Sequence, residues 1–184
     1  DMNLKSYLSN TQKRIAMPIM THPGIEYIGK RVIDAVTDGD VHFEAIRAVV
    51  ERYNMVACTV IMDLTVEAEA FGAKINFPEN EVPHVIERLV ADEASVSNLK
   101  VPDLTAGRLP EYLKANQRAV AYFQDRPVLA GCIGPFSLAG RLYDMSEIMV
   151  AIYIEPDTIL QLLEKCTTFL LAYCRSCLLY TSDA

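Results

Sequence analysis

The residues best placed for chemistry begin with Asp63. It closes the run Met55-Val56-Ala57-Cys58-Thr59-Val60-Ile61-Met62, whose nearly continuous apolar character predicts a strand buried on both faces. In α/β enzymes the carboxyl end of such a strand faces the active site. A carboxylate there can hold a positive charge on a substrate or orient a reacting group. It can also cap a helix starting at Leu64, and one residue can do both. Glu67 and Glu69 follow in Asp63-Leu64-Thr65-Val66-Glu67-Ala68-Glu69. Acids in a first helical turn favour the macrodipole. Glu67 lies four residues past Asp63 and would share its helix face. The plainer reading of both glutamates is solvated helix-start charge.

His22 sits in Thr21-His22-Pro23-Gly24, after the short apolar run Arg14 to Met20. At a barrel mouth it could act as an acid, a base or a ligand, while a lone turn histidine is more often structural. Gly134-Pro135-Phe136-Ser137-Leu138-Ala139-Gly140-Arg141-Leu142 follows a further apolar run. A tight strand-to-helix turn at Gly134 lets backbone N–H groups approach an anion. Arg141 can pair with a carboxylate or phosphate through both arms of its guanidinium, or simply make a surface ion pair. Ser137 is not framed as G-x-S-x-G, so no nucleophile elbow is present. His42 and His84 receive no role, and three scattered histidines give no H-E-x-x-H and no local metal set. Cys174-Arg175-Ser176-Cys177 is formally C-x-x-C, but no second ligand pair accompanies it.

The elements that must position these residues alternate. Lys5–Asn10 is predicted as a short helix, Arg14–Met20 as a strand and Thr21–Gly24 as a turn. A helix capped by Asp40 carries Ile46, Val49, Val50 and Tyr53 at helical spacing and ends at Asn54. The strand Met55–Met62 and a helix Leu64–Phe71 closed by Gly72 come next. Lys74–Pro83 reads as irregular with one short strand, His84–Asp92 as helix and Ser95–Ala106 as loop. Pro110 opens a helix to Gln124, and Pro127–Ile133 is another buried strand. Pro156 opens a last helix with Ile159, Leu162, Leu163, Cys166, Phe169, Leu170 and Tyr173 as its apolar stripe. Strands alternating with amphipathic helices imply an α/β fold. Periodicity alone does not choose between an open sheet and a closed barrel. No Gly-rich phosphate loop follows any strand.

The chain has 184 residues, 51% hydrophobic and 22% charged, an ordinary globular balance. Its net charge of −7 disfavours nucleic acid and anionic lipid as partners, and no apolar stretch reaches the roughly 18–20 residues of a membrane helix. Five cysteines, mostly inside apolar runs, point to reduced thiols and a cytoplasmic location. The segment from Cys177 to Ala184 resembles a translated sequencing adapter. The domain is therefore expected to span 1–176, with 177–184 a non-native tail.

Two motifs resemble those of the uroporphyrinogen decarboxylase superfamily. In Asp63 to Gly72 an aspartate is followed nine residues later by glycine. Gly134 to Gly140 resembles the later glycine-proline turn that opens a helix. Their order and separation fit, over about Leu4 to Arg175. The resemblance implies that the chain is the N-terminal part of a (β/α)8 barrel, inactive on its own.

In the decarboxylases the matching aspartate contacts the pyrrole N–H groups of a tetrapyrrole, and Asp63 inherits that candidate role. Their first strand leads into an arginine-rich loop, whereas Met17 to Gly24 holds no arginine. Their tyrosine after the glycine-proline turn falls at Arg141 by counting, with Tyr143 two residues on. The stretch Thr65 to Glu69 is more similar to the cobamide-dependent methyltransferase branch. That branch moves a methyl group between a corrinoid, sometimes on a corrinoid protein, and a thiol such as coenzyme M. The resemblance thus implies catalysis at Asp63, and together with the residue types above it leaves His22, Glu67, Gly134, Arg141 and Tyr143 as the expected substrate-binding residues. It also implies zinc, held by ligands beyond this chain. The alternatives are porphyrinogen decarboxylation and a non-catalytic corrinoid or tetrapyrrole-binding module.

Overall fold

The computed structural model describes Ser9 and residues 16–178. The expected opening helix therefore lies outside the described residues except for Ser9, which is helical. Among the described residues the first element is α1 (His22–Tyr27). The expected strand before it is absent from 16–20, and the expected turn at Thr21–Gly24 is the start of this helix, with Pro23 in its first turn. Proline suits that position because its missing N–H has no partner there anyway. α2 (Val32–Thr37) is too short for its apolar period to be legible.

α3 (Gly39–Tyr53) is capped by Asp38, not by Asp40. The Asp38 carboxylate accepts from Asp40 N at 2.8 Å and Val41 N at 3.4 Å. Asp40 instead reaches across to Lys114 at 2.6 Å and to Arg118. Asn54, in the left-handed region at φ 45°, stops the helix as its sequence implied. At the crossing of α1 and α3 the backbones nearly touch. A Cβ on Gly24 would lie 2.0 Å from the Ala45 carbonyl oxygen.

The two buried apolar runs pair with each other, but over little length. β1 (Cys58–Thr59) and β4 (Val128–Leu129) run parallel, with Cys58 opposite Val128 and Thr59 opposite Leu129. Each run was expected as a longer strand. Ladder bonds need a neighbour in register, and each run meets the other over two residues. Beyond β1, Val60 and Ile61 remain buried without joining a strand.

Between these strands lie α4 (Val66–Ala70), β2 (Ile75–Asn76), β3 (His84–Val85), α5 (Glu93–Asn98) and α6 (Leu109–Tyr122). The helix expected over His84–Asp92 is not formed. β3 pairs antiparallel with β2, and Ile86 N donates to Lys74 O at 2.9 Å. The N–H groups of Leu89 and Val90 both donate to Leu142 O, at 2.7 and 3.0 Å. The expected loop at Ser95–Ala106 begins inside α5. Asp92 caps it by accepting from Ser95 N at 2.8 Å, while Ser95 Oγ accepts from Asp92 N at 3.1 Å.

α7 (Pro135–Tyr143) and α8 (Met145–Ile154) turn at Asp144, a non-glycine residue at φ 89°. Its carboxylate caps α8 through Ser146 N and Glu147 N, at 2.8 and 3.2 Å. α9 (Pro156–Leu178) buries the stripe read from the sequence, with Leu163 only half-buried. Cys177 and Leu178 continue this helix, and Cys177 is buried on it. The largest apolar core joins α9 to α4, α6, α7 and α8, with Phe71 edge-on to Phe169 at 5.1 Å between centroids.

Candidate functional site

A cavity of about 210 Å3 opens at the carboxyl ends of β1 and β4. Its walls are mostly apolar, with Ile61, Met62 and Leu64 after β1 and Leu129 and Ile133 on the β4 side. The polar side chains reaching it include Asp63, Glu67, Tyr112 and Tyr173. No lysine or arginine lines it among the described residues.

Asp63 is buried, and its carboxylate is committed to the protein. Oδ1 accepts from Thr65 N at 2.9 Å and from Thr65 Oγ1 at 2.7 Å. This is the turn-and-cap geometry of an aspartate two residues before a helix. Oδ2 accepts from Arg108 Nη1 at 2.6 Å and from the Tyr112 hydroxyl at 3.2 Å. With four donors in place, the carboxylate needs no ligand to satisfy it.

Arg108 is the hub of this network. It also donates through Nε to Glu69 at 2.6 Å, through Nη2 to Thr65 Oγ1 at 2.9 Å and through Nη1 to Val36 O at 3.1 Å. Its guanidinium sits 4.7 Å from the Phe77 ring centroid. Burial works against its charge, but Asp63 and Glu69 outweigh this and hold its pKa above the usual value. The Tyr112 hydroxyl is pushed well up by burial and by the adjacent Asp63 charge, so it stays a neutral donor.

Glu67 differs from Asp63. It was read as a solvated helix-start charge, yet it is only 3% exposed. Its position on α4 turns it inward beside Val66 and Ala68. Oε1 accepts from Ile133 N at 2.9 Å, a bond that ties α4 to the end of the β4 run. Oε2 has no hydrogen-bond partner among the described residues. Burial raises its pKa. Ile133 N–H and the charge of Arg141 oppose that rise, while Asp63 adds to it.

The other expected site residues lie outside the cavity lining. His22 is exposed at the first position of α1. Gly134 caps α7 with ordinary extended geometry and is exposed. Arg141 is half-buried on α7, and its Nε has no hydrogen-bond partner among the described residues. The buried Tyr143 hydroxyl donates to Ala91 O at 3.1 Å, holding α7 to the segment before α5. None of these four lines the cavity.

Arg108, Tyr112, His42 and Tyr173 did not stand out in the sequence. His42 is fully buried on α3, and its Nε2 accepts from Ile61 N at 2.9 Å. That bond leaves the proton on Nδ1. Burial pushes the His42 pKa down to about 3, against an upward pull from Asp63, so the ring is neutral. It stands edge-on to Tyr112 at 4.9 Å between centroids. The only local signal for Arg108 is its place beside Gly107, at φ 56°, just before α6. The Cys132 and Cys174 sulfurs approach to 3.6 Å, so Cys174 meets Cys132 across the fold. Among the described residues, no three His, Cys, Asp or Glu side chains converge to hold a metal ion, and no helix is long and apolar enough to cross a membrane.

Known proteins share this architecture. A methyltransferase from Methanosarcina mazei superposes with a TM-score of 0.83 at 22% identity, over 92% of this chain and 52% of that one. The likeness shows the fold, a (β/α)8 barrel of which this chain forms a part. The methylcobamide:CoM methyltransferase MtbA of Methanosarcina mazei is 31% identical over 122 residues, and that of Methanosarcina acetivorans is 31% identical over 131 residues. Each match covers 65% of this chain and 36% of the relative, so the matched stretch spans well under half the length of either relative. The family model for uroporphyrinogen decarboxylase (URO-D) matches residues 13–184. With nearly the whole chain matched, the protein belongs to the uroporphyrinogen decarboxylase family.

Proposed function

We propose that the full-length protein is a methyltransferase of this family that moves a methyl group between a corrinoid and a small thiol such as coenzyme M. The observation that carries this reading is the charge of the cavity wall. It holds two acidic side chains and, among the described residues, no cation. The nearest buried cation, Arg108, is already held by Asp63 and Glu69. A porphyrinogen bearing several carboxylates would have to leave water with nothing there to pair them. Coenzyme M brings one sulfonate rather than several carboxylates, so its demand for counter-charge is smaller. The names of the two similar methyltransferases support the same reading.

In this reading Asp63 shapes the cavity through Arg108 and Tyr112, and Glu67 presents the carboxyl group that substrate meets. Gly134 and Arg141 support the wall from α7, while His22 and Tyr143 act from outside it. Zinc comes with the family resemblance. The described residues do not fit it, so no step is assigned to a metal at this cavity.

The test uses the full-length protein with a methylated corrinoid and 2-mercaptoethanesulfonate. Loss of the methyl-corrinoid spectrum with formation of the S-methyl product is the expected result. Decarboxylation of uroporphyrinogen without methyl transfer would overturn the assignment.

A further inference from the structure

Glu67 Oε2 stands out among the polar atoms of the molecule. The other buried side-chain atoms without hydrogen-bond partners among the described residues belong to His42, Asn116 and Arg141, and none of those residues lines the cavity. A buried carboxyl oxygen without a partner costs on the order of 1–3 kcal/mol, and a ligand that supplies the partner recovers that cost.

We propose that the cavity between the carboxyl ends of β1 and β4 binds an uncharged amide group, seated against Glu67 as its hydrogen-bond partner. The inference goes beyond methyl transfer and does not depend on it, because binding is read without turnover.

Three observations select an uncharged group. The walls are apolar, so an ion would lose its hydration to little compensation. The charged and titratable groups around Glu67 are Asp63 before α4, Arg141 on α7, Cys132 after β4, and Tyr173 and Cys177 on α9. Burial pushes the thiols of Cys132 and Cys177 up to about 12 and about 11, and raises Tyr173 as well, so all three are neutral near pH 7. Asp63 is held by Arg108, and Arg141 lies on α7 outside the lining, so neither an ammonium nor a carboxylate meets a free counter-charge in the cavity.

The hydrogen-bond pattern selects an amide among uncharged groups. Oε1 accepts from Ile133 N, which leaves the acid proton for Oε2. The Oε2 hydroxyl donates to the amide carbonyl oxygen, and an amide N–H returns to the second lone pair of Oε1. Burial favours the protonated carboxyl group that this pairing needs.

Three probes with the same three-carbon chain test the assignment on the full-length protein by ligand-observed NMR: propionamide, propionate and propylamine. Propionamide is expected to bind best, and to weaken as pH rises and Glu67 ionises. Glu67→Leu should weaken propionamide on the order of tenfold, the loss of two hydrogen bonds. Glu67→Gln keeps a donor and an acceptor, so it should retain binding and lose the pH dependence. Preference for propylamine or propionate would overturn the proposal. So would unchanged propionamide binding in Glu67→Leu, or a wild-type pH dependence in Glu67→Gln.

Discussion

Arg108 closes on Asp63 with its Nη1 2.6 Å from Oδ2, across 45 residues of chain. The Asp63 side chain is fully buried and that of Arg108 is 8% exposed. This pair is the bolt between the end of β1 and the start of α6. Removing one member of such a pair strands the other charge in a medium that solvates it poorly. Arg108→Met is therefore expected to cost about 3–5 kcal/mol of stability. Urea denaturation of the full-length protein measures it, and a loss below about 1 kcal/mol, the range of an exposed pair, would refute the assignment.

His42 and Glu67 should give the stability profile opposite slopes with pH. His42 folds with its pKa pushed down to about 3 by burial. Between that value and the ordinary histidine range the unfolded chain binds the extra proton, so stability falls as pH drops through this window. The loss reaches up to about 4 kcal/mol at its acid end. His42→Gln, which can still accept from Ile61 N, should flatten this limb. Denaturation midpoints across the window decide, and an unchanged slope in the variant would remove His42 as its source.

For Glu67 the sign reverses. Burial raises its folded pKa above that of the unfolded chain. Its contribution is fully present below the unfolded value and is lost as pH rises through the folded one. Glu67→Gln should therefore gain stability relative to the wild type on the neutral side, and gain nothing at acid pH. Equal differences at both ends would contradict the burial of Glu67.

The crossing of α1 and α3 gives a steric prediction. A methyl group on Gly24 would sit 2.0 Å from Ala45 O, and that atom is backbone that cannot turn aside. Gly24→Ala should destabilise by at least the roughly 1–3 kcal/mol typical of overpacking. A melting temperature within error of the wild type would show that the two helices separate freely.

Much of the frame was legible because long amphipathic helices carry their period openly. The stripe of α9 was read from the sequence nearly residue by residue, and Asn54 marked the end of α3. Short elements escaped for the same reason in reverse. α1, α2 and α5 span six residues each, too few for a period. The His84 segment has apolar residues at helical spacing, but β2 recruits its start into a ladder. At the cavity, Asp63 was visible because it ends an apolar run. Arg108 was invisible because its partner lies far away in sequence, and no local pattern encodes that meeting. The same local view made Glu67 look solvated, since only the packed fold turns that face of α4 inward.

The parallel register of β1 on β4 also sets when the cavity can exist. Cys58 lies opposite Val128, so its two walls come from stretches about 70 residues apart. Closing so long a loop is slow and unrewarded until both ends meet. On a ribosome, the Asp63 wall would emerge first and wait for Ile133. Until then Glu67 has no Ile133 N–H to hold it, and its carboxyl group faces water as an ordinary ionised acid. The burial that raises its pKa in the folded protein therefore sets in only when the second wall arrives.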